Sequence, residues 1–264
     1  MGNKFTKSNF IRISQKVLDF QLKALYPVQT EKDPTRIDLV FLNHDRNFST
    51  FLTIKYLVEH ERVADIYTLS RSMFESIITM GLLSKRLIGN DVERYLNFEY
   101  VEIYKTYNHL KKLGLEYVSG VTSSNVEFLD KKREEYMKKW GKNTSSWSGK
   151  SLEQNVMLVD ENYAPTCNER HFYEYLYCQV YRKGSQSTHS SFAGLSKGMN
   201  IERFSIPGLV AAQRFKANES HLIFSCFHSL LTFLSSVRFL GYLIDKKETE
   251  DYFHEIAKYI ISDE

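Results

Sequence analysis

Arg182 and His189 stand seven positions apart in the run Tyr181-Arg182-Lys183-Gly184-Ser185-Gln186-Ser187-Thr188-His189. On a helix that spacing is two turns less about 20°, so the two side chains share a face with Ser185 between them. An imidazole moves protons near neutral pH, and a planar guanidinium grips two phosphate oxygens at once. Together they could cut RNA without a metal. The 2′-hydroxyl would attack the adjacent phosphorus, His189 would shuttle the protons, and Arg182 would steady the charge on the crowded phosphorus. Tyr181, Lys183 and Ser185 flank the pair as candidate substrate contacts. Gly184 is a place for the helix to bend or stop.

Two further groups could serve the same site. Arg71 and Glu75 are i and i+4 on an otherwise apolar stretch around Met73, Phe74 and Ile77. A charge pair there is expected to be partly buried, either tying two helices together or lining a cleft and orienting His189. Trp147, between Lys142 and Lys150 in a polar loop, reads either as an exposed ring beside two cations, suited to contact with a partner or nucleic acid, or as a ring folded back onto the body. Phe172 and the tyrosines at 173, 175, 177 and 181 could stack bases or could be core. His221 and His228 lie on an apolar helix with no third ligand in sight, and His44-Asp45 has no partner at metal spacing, so no metal and no cofactor is expected.

The elements that must position these residues are helices. Apolar side chains recur at helical spacing along most of the chain, and Pro and Gly total only 4 and 12 in 264 residues. Phe10, Val17, Leu18, Leu22 and Leu25 form a first amphipathic stretch, closed by Pro27. A long helix starts at Pro34, with Leu39, Leu42, Phe51, Ile54, Leu57 and Val58 near one stripe. The next runs from about Arg62 to Leu87. Asn90 or Asp91 then caps a helix that ends before Gly114. A loop over 114–124, a charged helix over Asp130–Trp140, the polar loop 141–151 and a short helix or turn at Leu152–Val159 come next. A Tyr-rich helix covers about Asn168 to Lys183, and 184–208 is broken by glycines. Two helices, Leu209–Ile244 and Glu248–Ile261, close the chain.

Charge and composition limit the function classes. The net charge is +3, which excludes a charge-dominated disordered chain and a strongly basic nucleic-acid coat. Three cysteines without a CxxC pair argue for free thiols in a reducing cytosol and against zinc ribbons. The N-terminal run has no secretory h-region. Leu222–Ile244 is long enough for a membrane span, yet His228, Arg238 and several serines mark it as a covered core helix. Walker, Rossmann, zincin and nucleophile-elbow signatures are absent.

The blocks Arg71-Ser72-Met73-Phe74-Glu75, Trp147-Ser148-Gly149-Lys150-Ser151, and Tyr181 with Arg182, Ser185 and His189 resemble a bacterial family known as domain of unknown function 5677, over about Asp65 to Gly194. The Arg182–His189 spacing also resembles the loose RX4–6H pattern of the HEPN nucleases, in which a polar residue such as Asn, Asp or His often follows the arginine; here it is Lys183. The resemblance implies a HEPN-like all-α core and a site composed across a homodimer. The expected architecture is one helical domain, 1–264: N-terminal helices over 1–60, a family-like core over 61–200, and C-terminal helices over 201–264 packed on it. The expected function is a cytoplasmic, metal-independent endoribonuclease acting as a toxin or in anti-phage defence. RNA is its substrate, and a partner protein from the same operon could complete the site. A non-catalytic helical module that binds a partner protein or a nucleotide is the alternative.

Overall fold

The computed structural model describes residues 5–26, 33–142, 144–163, 171–188 and 219–261. These residues form an all-α bundle: α1 Lys7–Ala24, α2 Pro34–Glu59, α3 Val63–Ser84, α4 Asp91–Lys112 and α5 Ser123–Trp140 come first. Next are α6 Leu152–Tyr163 and a continuous helical rod made of α7 Phe172–Leu176, a π-helical segment Tyr177–Arg182 and α8 Lys183–Thr188. The long α9 Glu219–Leu243 and α10 Glu248–Ile261 complete the order, and no strand occurs among the described residues.

α9 is the centre of the bundle and packs on α1, α2, α3 and α10. Its apolar residues are buried nearly all round, including Leu230, Leu231, Phe233, Leu234 and Phe239, as expected of a helix covered by its neighbours. It is the described helix long and apolar enough to cross a membrane, and 89% of its apolar window lies inside the structure. Its hydroxyls are satisfied locally: Ser229, Thr232 and Ser235 donate to the carbonyls four residues back at 2.6, 2.7 and 3.0 Å. Gly81 of α3 lets the two helices approach, since a Cβ there would sit 3.2 Å from the Phe239 ring.

Polar groups also tie the core. His44 on α2 is fully buried, its Nε2 2.8 Å from Gln21 Oε1 of α1 and its Nδ1 2.8 Å from Ser236 Oγ of α9. Nε2 therefore donates to Gln21, and Nδ1 accepts from Ser236. At the other end Arg36 donates to Asp33, to the Leu83 carbonyl and to Asp91 at 2.7, 2.8 and 2.5 Å, pinning the start of α2 to the end of α3 and the start of α4.

Several expectations need correction. Leu22 and Leu42, read as stripe residues, are exposed, Leu42 at 63%. The buried stripe of α2 runs instead through Ile37, Val40, His44, Asn47, Phe51 and Ile54, because polar side chains with partners occupy apolar positions. The charged helix begins at Ser123, not Asp130, and α6 extends to Tyr163. Gly184 neither bends nor ends its helix: it lies inside α8, where a Cβ would sit 2.6 Å from Arg71 Cβ and 2.7 Å from the Tyr67 carbonyl oxygen. The glycine is required for close contact with α3. Residues 209–218, assigned to the long C-terminal helix, lie outside the described residues.

Candidate functional site: an arginine–tyrosine ladder on the rod

The middle of α3 and the rod build one surface. Phe74 of α3 is buried and lies under Tyr177 and Tyr181, with ring centroids 6.3 and 6.4 Å away. The two tyrosine rings are stacked on each other, 5.3 Å apart at 12°. Arg71 covers the free side of Tyr181, its guanidinium carbon 4.9 Å from the centroid, and Arg182 covers Tyr177 at 5.3 Å. The result is a four-layer ladder, Arg71–Tyr181–Tyr177–Arg182, with a cation at each end. Tyr177, Tyr181 and Arg182 all belong to the π-segment. Its wider turns change the angle at which successive side chains leave the rod, a device frequent at functional sites.

The two ends differ. Arg71 is largely covered: it pairs with Glu75 Oε1 at 3.1 Å, and its Nη2 is 3.5 Å from the Tyr181 hydroxyl. Its Nε is buried with no hydrogen-bond acceptor among the described residues, and Gln179 Oε1 on the rod is buried with no donor among them. Arg182 has 60% of its side chain exposed, and its carboxylate neighbour, Glu153 in the first turn of α6, is 3.7 Å away. It is the guanidinium a ligand can reach. On the adjoining face of α3, Arg46 of α2 reaches Ser72 at 3.3 Å.

The structure thus brings together Arg71, Glu75, Tyr181 and Arg182. Lys183 turns inward, its ammonium 3.8 Å from the Phe224 centroid, and burial pushes its pKa down. Ser185 is half-buried on α8. His189, the proposed proton carrier, lies outside the described residues.

Of the two readings of Trp147, the structure takes the ring folded back onto the body. The residue is 9% exposed, packs edge-on against Tyr95 at 5.2 Å, and its carbonyl accepts from the Tyr136 hydroxyl at 3.0 Å. The polar neighbours that suggested exposure instead build the loop. Asn155 Nδ2 donates to Ser148 Oγ at 2.9 Å, Ser146 Oγ donates to the Lys150 carbonyl at 2.7 Å, and Gly149 takes a left-handed φ of +71°. Ser151 and Gln154 then form a reciprocal capping box: Gln154 N donates to Ser151 Oγ at 3.2 Å and Ser151 N to Gln154 Oε1 at 2.9 Å. That S-x-x-Q spacing is a sequence signal for the start of α6. The Trp147–Ser151 block leads into α6, whose Glu153 lies beside Arg182, and of its residues Lys150 and Ser151 are exposed.

Two histidines away from this face, His44 and His228, are core. His228 is buried, its Nδ1 donating to the Phe224 carbonyl at 2.7 Å and its Nε2 accepting from the Tyr175 hydroxyl at 2.8 Å. Burial pushes both His44 and His228 down to about 4, so each is neutral near pH 7. No group of three or more His, Cys, Asp or Glu suited to a metal occurs among the described residues.

Residues 38–205 match a family model described as a family of unknown function, DUF5677, a span that runs from α2 past α8 and takes in every block of the ladder. No curated protein and no solved structure matches the chain.

Proposed function

The chain belongs to the DUF5677 family, and from that premise we propose that it is a metal-independent endoribonuclease of the toxin or phage-defence kind. The observation that carries the reading is the exposed Arg182 at the end of the Arg–Tyr–Tyr–Arg ladder. Stacked aromatic and guanidinium planes receive unpaired bases, and an exposed guanidinium receives phosphate, so the surface has the chemistry of a single-strand contact. α8 continues from Arg182 in regular α-helical register to Thr188, the residue before His189.

In this mechanism Arg182 holds the scissile phosphate. His189 accepts the 2′-hydroxyl proton as that oxygen attacks phosphorus, the bond to the 5′-oxygen breaks, and an imidazolium returns a proton to the leaving oxygen. The products are a 2′,3′-cyclic phosphate and a 5′-hydroxyl. Arg71 and Glu75 are paired to each other, so their part is to hold Tyr181 and the ladder in place. Two copies meeting at this face would supply two such arginines and histidines to one RNA, consistent with a cytoplasmic homodimer.

The second reading keeps the surface and drops the chemistry: the ladder binds RNA or a partner without cutting. It is favoured by Arg71 and Lys183 being engaged within the bundle, which leaves Arg182 as the ladder's open cation. The test is cleavage of single-stranded RNA by wild type, Arg182→Ala and His189→Ala, beside binding of the same RNA measured by anisotropy. Cleavage by wild type that both variants lose, with binding kept in His189→Ala, supports the nuclease. Binding without cleavage by wild type supports the module. Neither cleavage nor binding sinks both.

A further inference from the structure

About 14 residues along α3 from Arg71, or roughly 21 Å at the helical rise, lies a second feature that the ladder does not use. The end of α3, the end of α6, the end of α9 and the turn into α10 line a half-open cavity of about 530 Å³. That volume is in the range of small-molecule sites. Its wall is strongly basic: five lining residues are cationic and two, Asp245 and Glu250, are acidic.

Two of the five cations are already neutralised. Arg238 donates to both oxygens of Glu250, at 2.8 and 2.5 Å, and Arg86 lies 3.1 Å from Asp33. The other three, Lys85, Lys246 and Lys247, have no carboxylate within 4 Å among the described residues. Lys85 is held without an anion: its ammonium lies over the faces of Tyr163 and Tyr242, 4.6 and 4.1 Å from their centroids. Three ammonium groups against the one remaining carboxylate, Asp245, leave a local surplus of positive charge in a walled cavity. Low-dielectric walls concentrate the field of such a surplus on an anion. Tyr242, 48% exposed, adds an aromatic edge to the rim. The amides of Thr249 and Glu250 in the first turn of α10 are already engaged, donating to the carbonyls of Lys246 and Lys247.

We propose that this cavity binds a small polyphosphate-bearing ligand of the nucleoside di- or triphosphate class, its phosphates held by Lys85, Lys246 and Lys247 and its base against Tyr242. The site is separate from the RNA face and does not depend on it. The experiment is calorimetric titration of the full chain with pyrophosphate and with ATP, repeated at higher salt. Both probes bind saturably, ATP the more tightly of the two, and salt weakens both. The double variant Lys246→Ala/Lys247→Ala and the single variant Lys85→Met each weaken ATP by roughly tenfold or more, while Lys111→Ala/Lys112→Ala, at the opposite end of α4, leaves it unchanged. The lysines are on the surface of the cavity, and an unchanged melting midpoint without ligand shows that the variants fold. Absence of saturable binding by either probe at millimolar concentration overturns the proposal. So does ATP binding without pyrophosphate binding, or binding that survives the Lys246/Lys247 double variant.

Discussion

Arg238 and Arg182 are the same side chain used in opposite ways. Arg238 is 2% exposed, near the end of α9, and is engaged on several sides: Glu250 in a two-oxygen pair, the Tyr163 carbonyl at 2.8 Å, and the Phe253 ring at 4.4 Å. Arg182 is 60% exposed and is steadied by one ring and a distant carboxylate. The first joins α6, α9 and α10 and has nothing left to offer a ligand. The second contributes little to the fold and keeps its fork of donors for one. A guanidinium's role thus depends on its surroundings, not on its presence in a motif.

The comparison is tested most severely at Arg238. Replacing it with Ala leaves the half-buried Glu250 with His254, 3.1 Å away, in place of the guanidinium fork, and the Tyr163 carbonyl without its donor. The expected loss is about 3–5 kcal/mol of unfolding free energy in urea titration. Burial pushes the Glu250 pKa up, but the guanidinium outweighs it and holds the carboxylate below its ordinary range. A variant as stable as wild type would mean that the buried pair is not what joins the three helices.

Acid separates the two regions next. His44 and His228 are depressed to about 4 from an ordinary 6.5 by burial. The unfolded chain takes up their protons first as pH falls, so their stabilisation is complete above pH 6.5 and lost between 6.5 and about 4. By linkage that is about 3 kcal/mol for each histidine. Asp160 runs the other way. Burial pushes it up to about 6, although the backbone N–H groups of Tyr173 and Glu174 pull it down. It favours the fold below its ordinary 3.8 and loses that contribution as pH rises through 6, which offsets part of the histidine loss. Unfolding midpoints at pH 7, 6, 5 and 4 should fall overall, and His44→Gln should flatten the fall. A curve that rises from 7 to 4 would contradict the neutral, buried assignment.

These two regions also divide what is legible in advance. α3, α4 and α10 can be read to within a few residues, because apolar periodicity, Asn90 and Gly114 mark them locally. Arg238 is visible in the sequence only as a charge that argues against a membrane span; its partners are 12 and 75 positions away. His44 finds Gln21 and Ser236 at separations of 23 and 192, beyond any local pattern. Trp147 stays undecided in the sequence because its neighbours are polar, and only the structure shows that they bond to one another and close over it. At the site, Arg71, Glu75, Tyr181 and Arg182 converge as their spacing suggests, yet Tyr177, which stacks between Tyr181 and Arg182, stands out in the sequence only as part of a Tyr cluster. The π-segment that aligns it has no residue signature. The family match covers α2 to α8 and stops before α9, whose Phe233 stacks on Phe51 at 4.3 Å, so the matched span leaves its own core open on that side.

Gly184 links fold and ladder. A methyl group there meets the Tyr67 backbone at 2.7 Å, and a carbonyl oxygen cannot rotate away as a side chain could. Gly184→Ala therefore pushes α8 off α3 and costs about 1–3 kcal/mol in urea titration. If this packing also aims Arg182, the variant cuts RNA more slowly as well. Full RNA cleavage with lowered stability would show that the rod's seat on α3 and the aim of its arginine are independent.

The smallest expected effect on stability is at Arg182 itself. Its close contacts are confined to the exposed side of Tyr177 and its ion pair is long and solvated, so Arg182→Ala should change the unfolding free energy by no more than about 0.5 kcal/mol. The same variant should lower RNA cleavage by about 100-fold, the loss typical of removing one donor that stabilises the transition state. Arg182→Lys keeps the charge and loses the plane that stacks on Tyr177 and forks to two oxygens, so its rate should fall between wild type and alanine. An alanine variant that unfolds like Arg238→Ala would place Arg182 among the structural arginines. A lysine variant no better than alanine would show that the stacked plane matters more than the charge, and would move the emphasis from phosphate holding to base stacking at Tyr177 and Tyr181.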